Sequence, residues 1–270
     1  MKQTLRTLLI ILIAFGLYFI ISKLYFYKLD NFLTKSIGIG IIGFLLTYII
    51  IGLPLLLGLF LMHKPNEIIN SVGLRKGLSK GLLFSFIVTL PMLIGYSVFL
   101  KFNKDISINS IVVGVISAAF FEELYFRGIF FGQIFRYTKI GFIPSIVICA
   151  LLFASGHMWQ SNDISTLTGI FITTFFGAGL FAWLYIEWDN NLWIPMGLHL
   201  FMNLHWDLFS GANALGGKYE NIFRIITIIL AIAGTLRYKK HNGLKLNINK
   251  SNLIIKKMAI TTAHSQSGVS

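Results

Sequence analysis

The stretch from residue 120 to residue 131 reads Phe120-Phe121-Glu122-Glu123-Leu124-Tyr125-Phe126-Arg127-Gly128-Ile129-Phe130-Phe131. Two adjacent carboxylates and one guanidinium interrupt a run that is otherwise typical of a helix inside a membrane. An ionisable side chain at membrane depth costs roughly 2.5 to more than 10 kcal/mol, depending on how far the chain and the bilayer adapt. The chain has 10 acidic residues in all. Placing two of them here therefore indicates a functional site.

The composition around this stretch is that of an integral membrane protein. The 270 residues are 56% hydrophobic and 12% charged, with a mean hydropathy of +0.76, whereas soluble domains carry about 25% charge. The apolar runs are long enough for membrane helices rather than barrel strands. No polar segment is long enough to form a separate soluble domain. We therefore predict an all-α fold, a polytopic membrane helix bundle.

Apolar windows predict about eight transmembrane helices, which make residues 1–240 one transmembrane bundle. The windows cover residues 5–24, 37–62, 81–100, 110–136, 141–160, 166–187, 192–210 and 221–237. Pro54 and Pro91 predict kinks in the second and third helices. No cleavage site of small residues follows the first window, so we interpret it as a helix and not a signal peptide. Residues 241–270 are basic, and we expect them to form a disordered cytoplasmic tail.

The distribution of basic residues predicts the orientation and excludes one class of partner. With the N-terminus inside, the inner segments hold 15 Lys and Arg residues and the outer loops hold six. This bias predicts that both termini are cytoplasmic. It also accounts for the net charge of +13 without nucleic acid, because no basic, aromatic-rich polar face is available. The chain is rich in Ile, Leu, Lys and Asn, a composition typical of proteins encoded by AT-rich bacterial genomes. We therefore expect the protein to lie in a bacterial cell membrane.

Spacing separates the roles of the two carboxylates. Adjacent helical residues point about 100° apart, so Glu122 and Glu123 face different surroundings. Arg127 follows Glu123 by four residues, the spacing at which an acid and a base meet on one helix face. We predict that this pair neutralises Glu123 and leaves Glu122 without a counter-charge. A free carboxylate of this kind is suited to act as a general base.

Two later apolar windows contribute imidazole and amide groups. His157 follows Ser155 and Gly156, which permit close helix packing, and His199 and Asn203 lie one turn apart on one helix face. A carboxylate with imidazole activates water, whereas imidazole with an amide stabilises an oxyanion. The same groups are also plausible metal ligands. Each feature has a purely structural alternative, since an ion pair, a histidine or an asparagine also locks helices together.

At these residues the chain resembles the CPBP family of intramembrane endopeptidases, also called the CAAX-protease or Abi family. Glu122-Glu123-x-x-x-Arg127 resembles the first family motif, Phe153-x-x-x-His157 the second, and His199-x-x-x-Asn203 the third. Each pattern alone is weak, but all three occur in order, each inside an apolar window. The resemblance covers about residues 110–210, which we take as the catalytic core.

The resemblance implies a mechanism and a class of substrate. Glu122 with His157 would activate the attacking water, His199 and Asn203 would stabilise the oxyanion, and Glu123 and Arg127 would support the site. The family has been described both as glutamate-dependent and as metal-dependent, so a divalent metal such as zinc on Glu122, His157 and His199 stays open. Expected substrates are membrane-associated peptides or proteins in the lipid bilayer, such as pheromone or bacteriocin precursors. Self-immunity to a bacteriocin is a related role.

Two other functions compete with proteolysis. A non-enzymatic membrane immunity or scaffold protein would tolerate Glu122→Gln but not bulky changes on the bundle surface. A transporter would use Glu122 and Glu123 as a proton relay. The sequence shows neither an inverted repeat nor paired broken helices in favour of the transporter. We therefore predict an intramembrane endopeptidase and keep the immunity or scaffold protein as the alternative.

Overall fold

The computed structural model describes residues 2–75, 77–209 and 215–256, and most of these residues are helical. Residues 257–270 of the predicted tail lie outside the described residues. Short helical turns occupy Pro65–Glu67, Ile68–Ser71 and Met158–Gln160. The described residues form nine longer helices, α1 to α9, at Lys2–Ile37, Gly40–Ile51, Leu53–Met62, Leu78–Phe99, Ile108–Tyr137, Phe142–Ser155, Ile164–Glu187, Trp193–Phe209 and Lys218–His241.

The described residues confirm an all-α, polytopic membrane bundle. Within them, six helices are long and apolar enough to cross a membrane, and the bent pair α2–α3 raises the number to seven. The helix α8 has 17 residues, which is about 26 Å at 1.5 Å per residue and shorter than the roughly 30 Å hydrocarbon core. The count of eight transmembrane helices therefore stays a prediction. Helix α1 is longer than its predicted window, 5–24, and includes Lys23, Lys28 and Lys35.

The break between α2 and α3 confirms the kink predicted at Pro54. The two helices differ in direction by 43°, and Pro54 lies in the first turn of α3, where its missing N–H costs nothing. Gly52 at the break lies against the Tyr125 ring, and an added Cβ would clash with the Tyr125 hydroxyl. That hydroxyl donates to the Tyr48 carbonyl at 2.8 Å. By contrast, Pro91 lies inside α4, which runs unbroken from Leu78 to Phe99.

Helix α5 is the central element of the bundle. Two of its stretches, Ile111–Ser117 and Glu123–Phe131, are wider than an α-helix and have π-helical geometry. The sequence predicts an ordinary α-helix here, and wide turns of this kind are frequent at functional sites. Every residue from 125 to 135 is buried. The packing is largely aromatic, for example Phe15 of α1 stacked on Phe130 at 4.0 Å. This burial positions the centre of α5 rigidly.

One end of the bundle, which we call the tail end, carries residues 63–75, 138–141, 188–192 and 242–256. Contacts between these segments place them together: Leu192 N–H donates to the Gly73 carbonyl at 3.1 Å, and Lys256 N–H donates to the Lys139 carbonyl at 2.8 Å. The opposite end, the far end, carries residues 100–107 and 156–163. Helix α6 runs from the tail end towards the far end, and α5 and α7 run in the reverse direction.

Residues 242–256, which we call the strap, correct the prediction that the tail is disordered from residue 241. The strap crosses the tail end and contacts the bundle through hydrogen bonds. Gly141, Phe142 and Ile143 donate their N–H groups to strap carbonyls at 2.8–2.9 Å. These groups belong to the first turn of α6, where backbone donors have no partner within the helix. Because the strap supplies the missing acceptors, it is held in place despite its polar sequence.

Candidate functional site

The predicted ion pair is present at the centre of α5. Arg127 Nη1 lies 3.0 Å from Glu123 Oε1, and the two side chains are 1% and 0% exposed. The i,i+4 spacing is sufficient to bring them together. Burial makes the pair interdependent, because either charge alone would be left without water or a counter-ion. This confirms that Glu123 is neutralised by Arg127.

The same carboxylate oxygen also binds a histidine from α8. His199 Nδ1 lies 2.8 Å from Glu123 Oε1. A carboxylate only accepts hydrogen bonds, so Nδ1 carries a proton and donates it. The other ring nitrogen, Nε2, is then left for other partners. His199 is 13% exposed, in contrast to the fully buried Glu123 beneath it. Glu123 therefore fixes both the position and the tautomer of His199.

Two phenylalanines link Arg127 to the rest of the site. The guanidinium lies over the Phe153 ring of α6 at 4.2 Å and over the Phe181 ring of α7 at 5.4 Å. Cations in this position are attracted to the ring face. Phe153 packs in turn against the His157 ring, with centroids 4.6 Å apart, and Phe181 packs against the His199 ring at 5.9 Å. Arg127 thus supports both histidines through these contacts.

His157 lies just beyond the last α-helical residue of α6, where the sequence predicts it inside the helix. The helix ends at Ser155, and His157 precedes the short turn Met158–Gln160. Its Nδ1 lies 2.8 Å from the Phe153 carbonyl. A carbonyl only accepts, so Nδ1 is protonated and Nε2 keeps its lone pair in the neutral ring. His157 therefore presents a basic nitrogen away from its own helix.

Glu122 differs from its neighbour in having no described partner. Among the described residues it makes no ion pair or hydrogen bond, and its Oε2 atom is buried. The side chain as a whole is partly exposed. It lies within electrostatic range of the Tyr48 and Tyr18 hydroxyls of α2 and α1. The absence of a counter-charge agrees with the prediction from spacing and leaves this carboxylate free for chemistry.

The remaining polar residues of α8 continue towards the far end. Asn203 follows His199 by one turn and is partly exposed. Asp207 follows by one further turn, and its carbonyl accepts a hydrogen bond from Asn103 Nδ2 at 3.0 Å. His205 is buried and points to another side of the helix. The structure thus keeps Asn203 and Asp207 on the His199 face, as the spacing predicts.

A metal centre does not fit the arrangement. In the described part of the chain, no three His, Cys, Asp or Glu side chains lie close enough together to hold a metal ion. Glu122, His157 and His199 therefore do not form a ligand set there. His199 commits Nδ1 to Glu123, which leaves Nε2 as its one nitrogen for a further partner. We derive no step that uses zinc.

The sequence analysis missed a second buried ion pair, at the tail end. Glu187 is completely buried and lies 3.3 Å from Lys239 Nζ. Its two oxygens also accept the N–H groups of Asn247 and Ile248 at 2.9 Å, which ties the strap to α7. Glu187 lies on α7 and Lys239 on α9, so residue spacing within one helix could not predict this pair. The only hint is an acid at the end of an apolar window.

Together these features define a class of protein: a polytopic membrane bundle with an ionisable centre in which one carboxylate is paired and the next is free. A family model described as type II CAAX prenyl endopeptidase Rce1-like matches residues 105–205. This region reaches from α5 into α8 and holds all three motifs, and it is similar to the CAAX-type proteases that the family model describes. The match confirms the resemblance drawn from the motifs. A comparison with curated proteins found no match.

Proposed function

We propose that this chain is an intramembrane endopeptidase that hydrolyses peptide bonds of membrane-associated proteins or peptides. The observation that carries this proposal is the contrast between the two carboxylates. Both carboxylates have a buried Oε2 atom without a partner among the described residues, but Glu123 is held at Oε1 by Arg127 and His199, whereas Glu122 makes no ion pair or hydrogen bond with any described residue. A structural carboxylate in a membrane is expected to be paired, so an unpaired one is best explained by chemistry.

In this mechanism Glu122 and His157 activate the attacking water. Glu122 accepts one proton as the water oxygen bonds to the scissile carbonyl carbon. His157 accepts a hydrogen bond from the same water through Nε2, which its Nδ1 contact with Phe153 leaves free. The carbon–nitrogen bond then breaks, and the proton passes from Glu122 to the leaving nitrogen. The products are a carboxylic acid and an amine, so atoms and charge balance.

His199 and Asn203 stabilise the oxyanion that forms at the carbonyl oxygen. With Nδ1 donating to Glu123, His199 donates from Nε2 only as an imidazolium. Because Arg127 already neutralises Glu123, the positive charge of this form is compensated by the oxyanion itself. Asn203 adds an amide N–H from the next turn of α8. One such donor contributes about 10²- to 10³-fold to the rate in other hydrolases.

The proposed setting is a bacterial cell membrane with both termini cytoplasmic, where the strap and the tail end would meet the cytoplasm. The proposed substrates are small membrane-associated peptides, for example pheromone or bacteriocin precursors. A role in bacteriocin self-immunity follows from the same activity, because cleavage of an incoming peptide would protect the cell.

The test compares wild type, Glu122→Gln and Glu67→Gln at matched membrane levels, with membrane-derived and secreted peptides measured by mass spectrometry. We expect Glu122→Gln to lower the appearance of wild-type peptides by about 10²- to 10⁴-fold, the usual contribution of a general base. Glu67 is an exposed loop carboxylate, so Glu67→Gln controls for the loss of charge. An unchanged peptide profile in Glu122→Gln, with the biological phenotype kept, would instead favour the immunity or scaffold protein.

A further inference from the structure

An apolar groove lies between α6 and α7, on a surface of the bundle that faces lipid rather than the polar centre. Its volume is about 440 Å³, which falls within the roughly 300–1,000 Å³ of small-molecule sites. It is lined by Phe142 and Val147 of α6, Phe176 and Trp183 of α7 and Ile232 of α9, among others, and no lining residue is charged. The groove therefore suits an apolar ligand, and none of the three motifs contributes to it.

A glycine on α7 keeps the groove open. A Cβ added to Gly179 would meet no atom within 4 Å, so the backbone of α7 is accessible there. Phe176, one turn earlier on the same helix, is 69% exposed and forms a wall of the groove. Because Gly179 itself lines the groove, a larger side chain at this position would project into the space. The depth of the groove thus depends on the small residue.

The groove has the length of a lipid chain in one leaflet. It begins at the tail end, where Phe142 is the first residue of α6 and Trp183 lies one turn before the end of α7. It reaches Ala150, about 12 Å deeper at 1.5 Å per residue. Half of the hydrocarbon core of a membrane is about 15 Å thick. Tryptophan is enriched at the level of lipid headgroups, so the opening of the groove is expected to lie at that level.

The strap crosses the opening of the groove at the tail end. On one side, two strap N–H groups donate to the Glu187 carboxylate at the end of α7. On the other side, strap carbonyls accept the N–H groups of Phe142 and Ile143 at the start of α6, and both of these residues line the groove. Residues 249–251 of the strap therefore bridge the two helices at the opening.

The bridging residues form an ordered turn with a lysine at its tip. Asn249 N–H donates to Asn252 Oδ1, and Ser251 N–H donates to Asn249 Oδ1, both at 3.0 Å. Lys250 is exposed and makes no ion pair or hydrogen bond with any described residue. The strap as a whole contains three lysines and no acidic residue. A positive charge on an ordered turn therefore stands at the opening of the groove.

An anionic phospholipid matches both the apolar groove and the lysine. Hydrophobicity alone does not hold a chain in the groove, because the surrounding lipid is equally apolar. A phosphate group beside Lys250 adds a charge-assisted contact that a neutral occupant lacks. Anionic lipids are also common at the cytoplasmic surface of membranes, which is the side that the basic residues predict for the tail end.

We propose that the groove binds one acyl chain of an anionic phospholipid, with the phosphate of its headgroup on Lys250. The bound lipid joins the strap to α6 and α7. These two helices carry Phe153 and Phe181, which pack against His157 and His199. The lipid therefore stabilises the helices behind the polar centre, and its binding does not depend on the proposed peptidase activity.

Lipid retention by the purified chain tests the proposal. Wild type in detergent is incubated with equal amounts of dioleoyl phosphatidylglycerol and dioleoyl phosphatidylcholine, washed, and analysed for bound lipid by mass spectrometry. We expect phosphatidylglycerol to be retained in preference to phosphatidylcholine. Lys250→Gln should lower its retention about fivefold, which corresponds to the ~1 kcal/mol that one lysine contributes at an anionic surface. Gly179→Leu should lower it by at least as much, because the new side chain fills the groove.

Two substitutions are matched controls. Lys64→Gln removes an exposed lysine from another segment of the tail end. Gly177→Leu enlarges a glycine of α7 that is equally free of neighbours but does not line the groove. We expect both variants to retain phosphatidylglycerol like wild type. If Gly179→Leu does not accumulate, Val147→Phe narrows the groove from the α6 side and takes its place.

Four results would overturn the proposal. Equal retention of the two lipids by wild type would show adventitious lipid only. Equal losses in Lys250→Gln and Lys64→Gln would show a general attraction to basic residues. Unchanged retention in Gly179→Leu, or in Val147→Phe where that variant replaces it, would show that the lipid binds elsewhere. Dimerisation of wild type that Gly179→Leu abolishes, with neither lipid retained, would show that a second copy of the chain fills the groove.

Discussion

The two halves of this bundle are built from the same helices but differ in burial. The tail half comprises residues 123–137 of α5 and 193–198 of α8, and the far half comprises residues 108–122 and 199–209 of the same helices. In the tail half α5 is enclosed by other helices, Glu123 and Arg127 are buried as a pair, and the strap covers the end. In the far half the same helix is only half covered, and Glu122, His157, His199 and Asn203 are all partly exposed. The boundary passes between two adjacent residues, Glu122 and Glu123. The comparison teaches that the rigid half positions the groups that the open half exposes.

The largest effect on stability is expected from breaking the ion pair at the boundary. Arg127→Gln leaves the buried Glu123 carboxylate without its cation, and the loss of one partner of a buried pair costs about 3–5 kcal/mol. We expect a correspondingly lower unfolding temperature in detergent and a lower membrane level. Glu123→Gln combined with Arg127→Gln removes both charges and should be milder. A double variant no more stable than Arg127→Gln would show that the pair is not the source of the effect.

A smaller effect is expected from loosening the cover of the tail end. In Glu187→Gln one carboxylate oxygen that accepts a strap N–H is replaced by an amide, and Lys239 loses its counter-charge. A buried donor left without an acceptor costs about 1–3 kcal/mol. We expect faster amide hydrogen exchange in residues 247–256. Asp189→Asn is the matched control, because Asp189 is exposed and binds the strap only through the Asn247 side chain. Equal rates of amide hydrogen exchange in the two variants would show that Glu187 does not hold the strap in place.

Alanine substitutions at Gly128 and Gly114 of α5 test the difference in packing between the two halves without changing any charge. Gly128→Ala forces a methyl group against Leu192 and Val72, and overpacking costs about 1–3 kcal/mol. Gly114→Ala enters open space and should gain about 0.5–1 kcal/mol from higher helix propensity. Thermal unfolding of the two variants under identical conditions measures the difference. If Gly114→Ala were the more destabilising, the far half would be as tightly packed as the tail half.

The smallest effect is a pH dependence of strap docking. Burial, with a further contribution from the nearby Arg136 guanidinium, lowers the pKa of Lys256 from 10.5 to about 8. Docking of the strap therefore disfavours the charged form of Lys256. The resulting cost in docking free energy is fully present below a pH of about 8. Docking should tighten as the pH rises from about 8 to about 10.5, where the undocked side chain also loses its proton. A fluorophore attached at Ser251→Cys measures strap docking as the pH is raised. The substitution Lys256→Gln should remove the dependence of docking on pH.

Much of the site is predictable from the sequence, because its motifs depend on spacing within one helix. Glu123 and Arg127 meet because four residues make about one helical turn, and Asn203 follows His199 for the same reason. The fold class follows from the length and apolarity of the windows. Helix ends were less predictable. The continuation of α1 to Ile37 and the end of α6 before His157 are not marked by any change in hydropathy along the sequence.

Contacts between distant parts of the chain were not predictable. The bond from His199 to Glu123 joins residues 76 positions apart, and the strap binds a carboxylate 60 positions away. The polar, basic composition of the strap predicts disorder. Composition does not reveal the buried hydrogen-bond donors and acceptors elsewhere in the chain with which the strap pairs. The strap is ordered because unpaired N–H groups at the start of α6 and the Glu187 carboxylate both need partners.

The sequence by itself determined a helical membrane bundle, the Glu123–Arg127 pair and the identity of the polar residues, since apolar length and helical periodicity are local properties. Only the tertiary structure decided that Glu123 also holds His199, that Arg127 supports His157 through Phe153, and that one half of the bundle is closed while the other is open. These features depend on which helix faces meet, and that is set by the packing of the whole chain rather than by any single stretch of it.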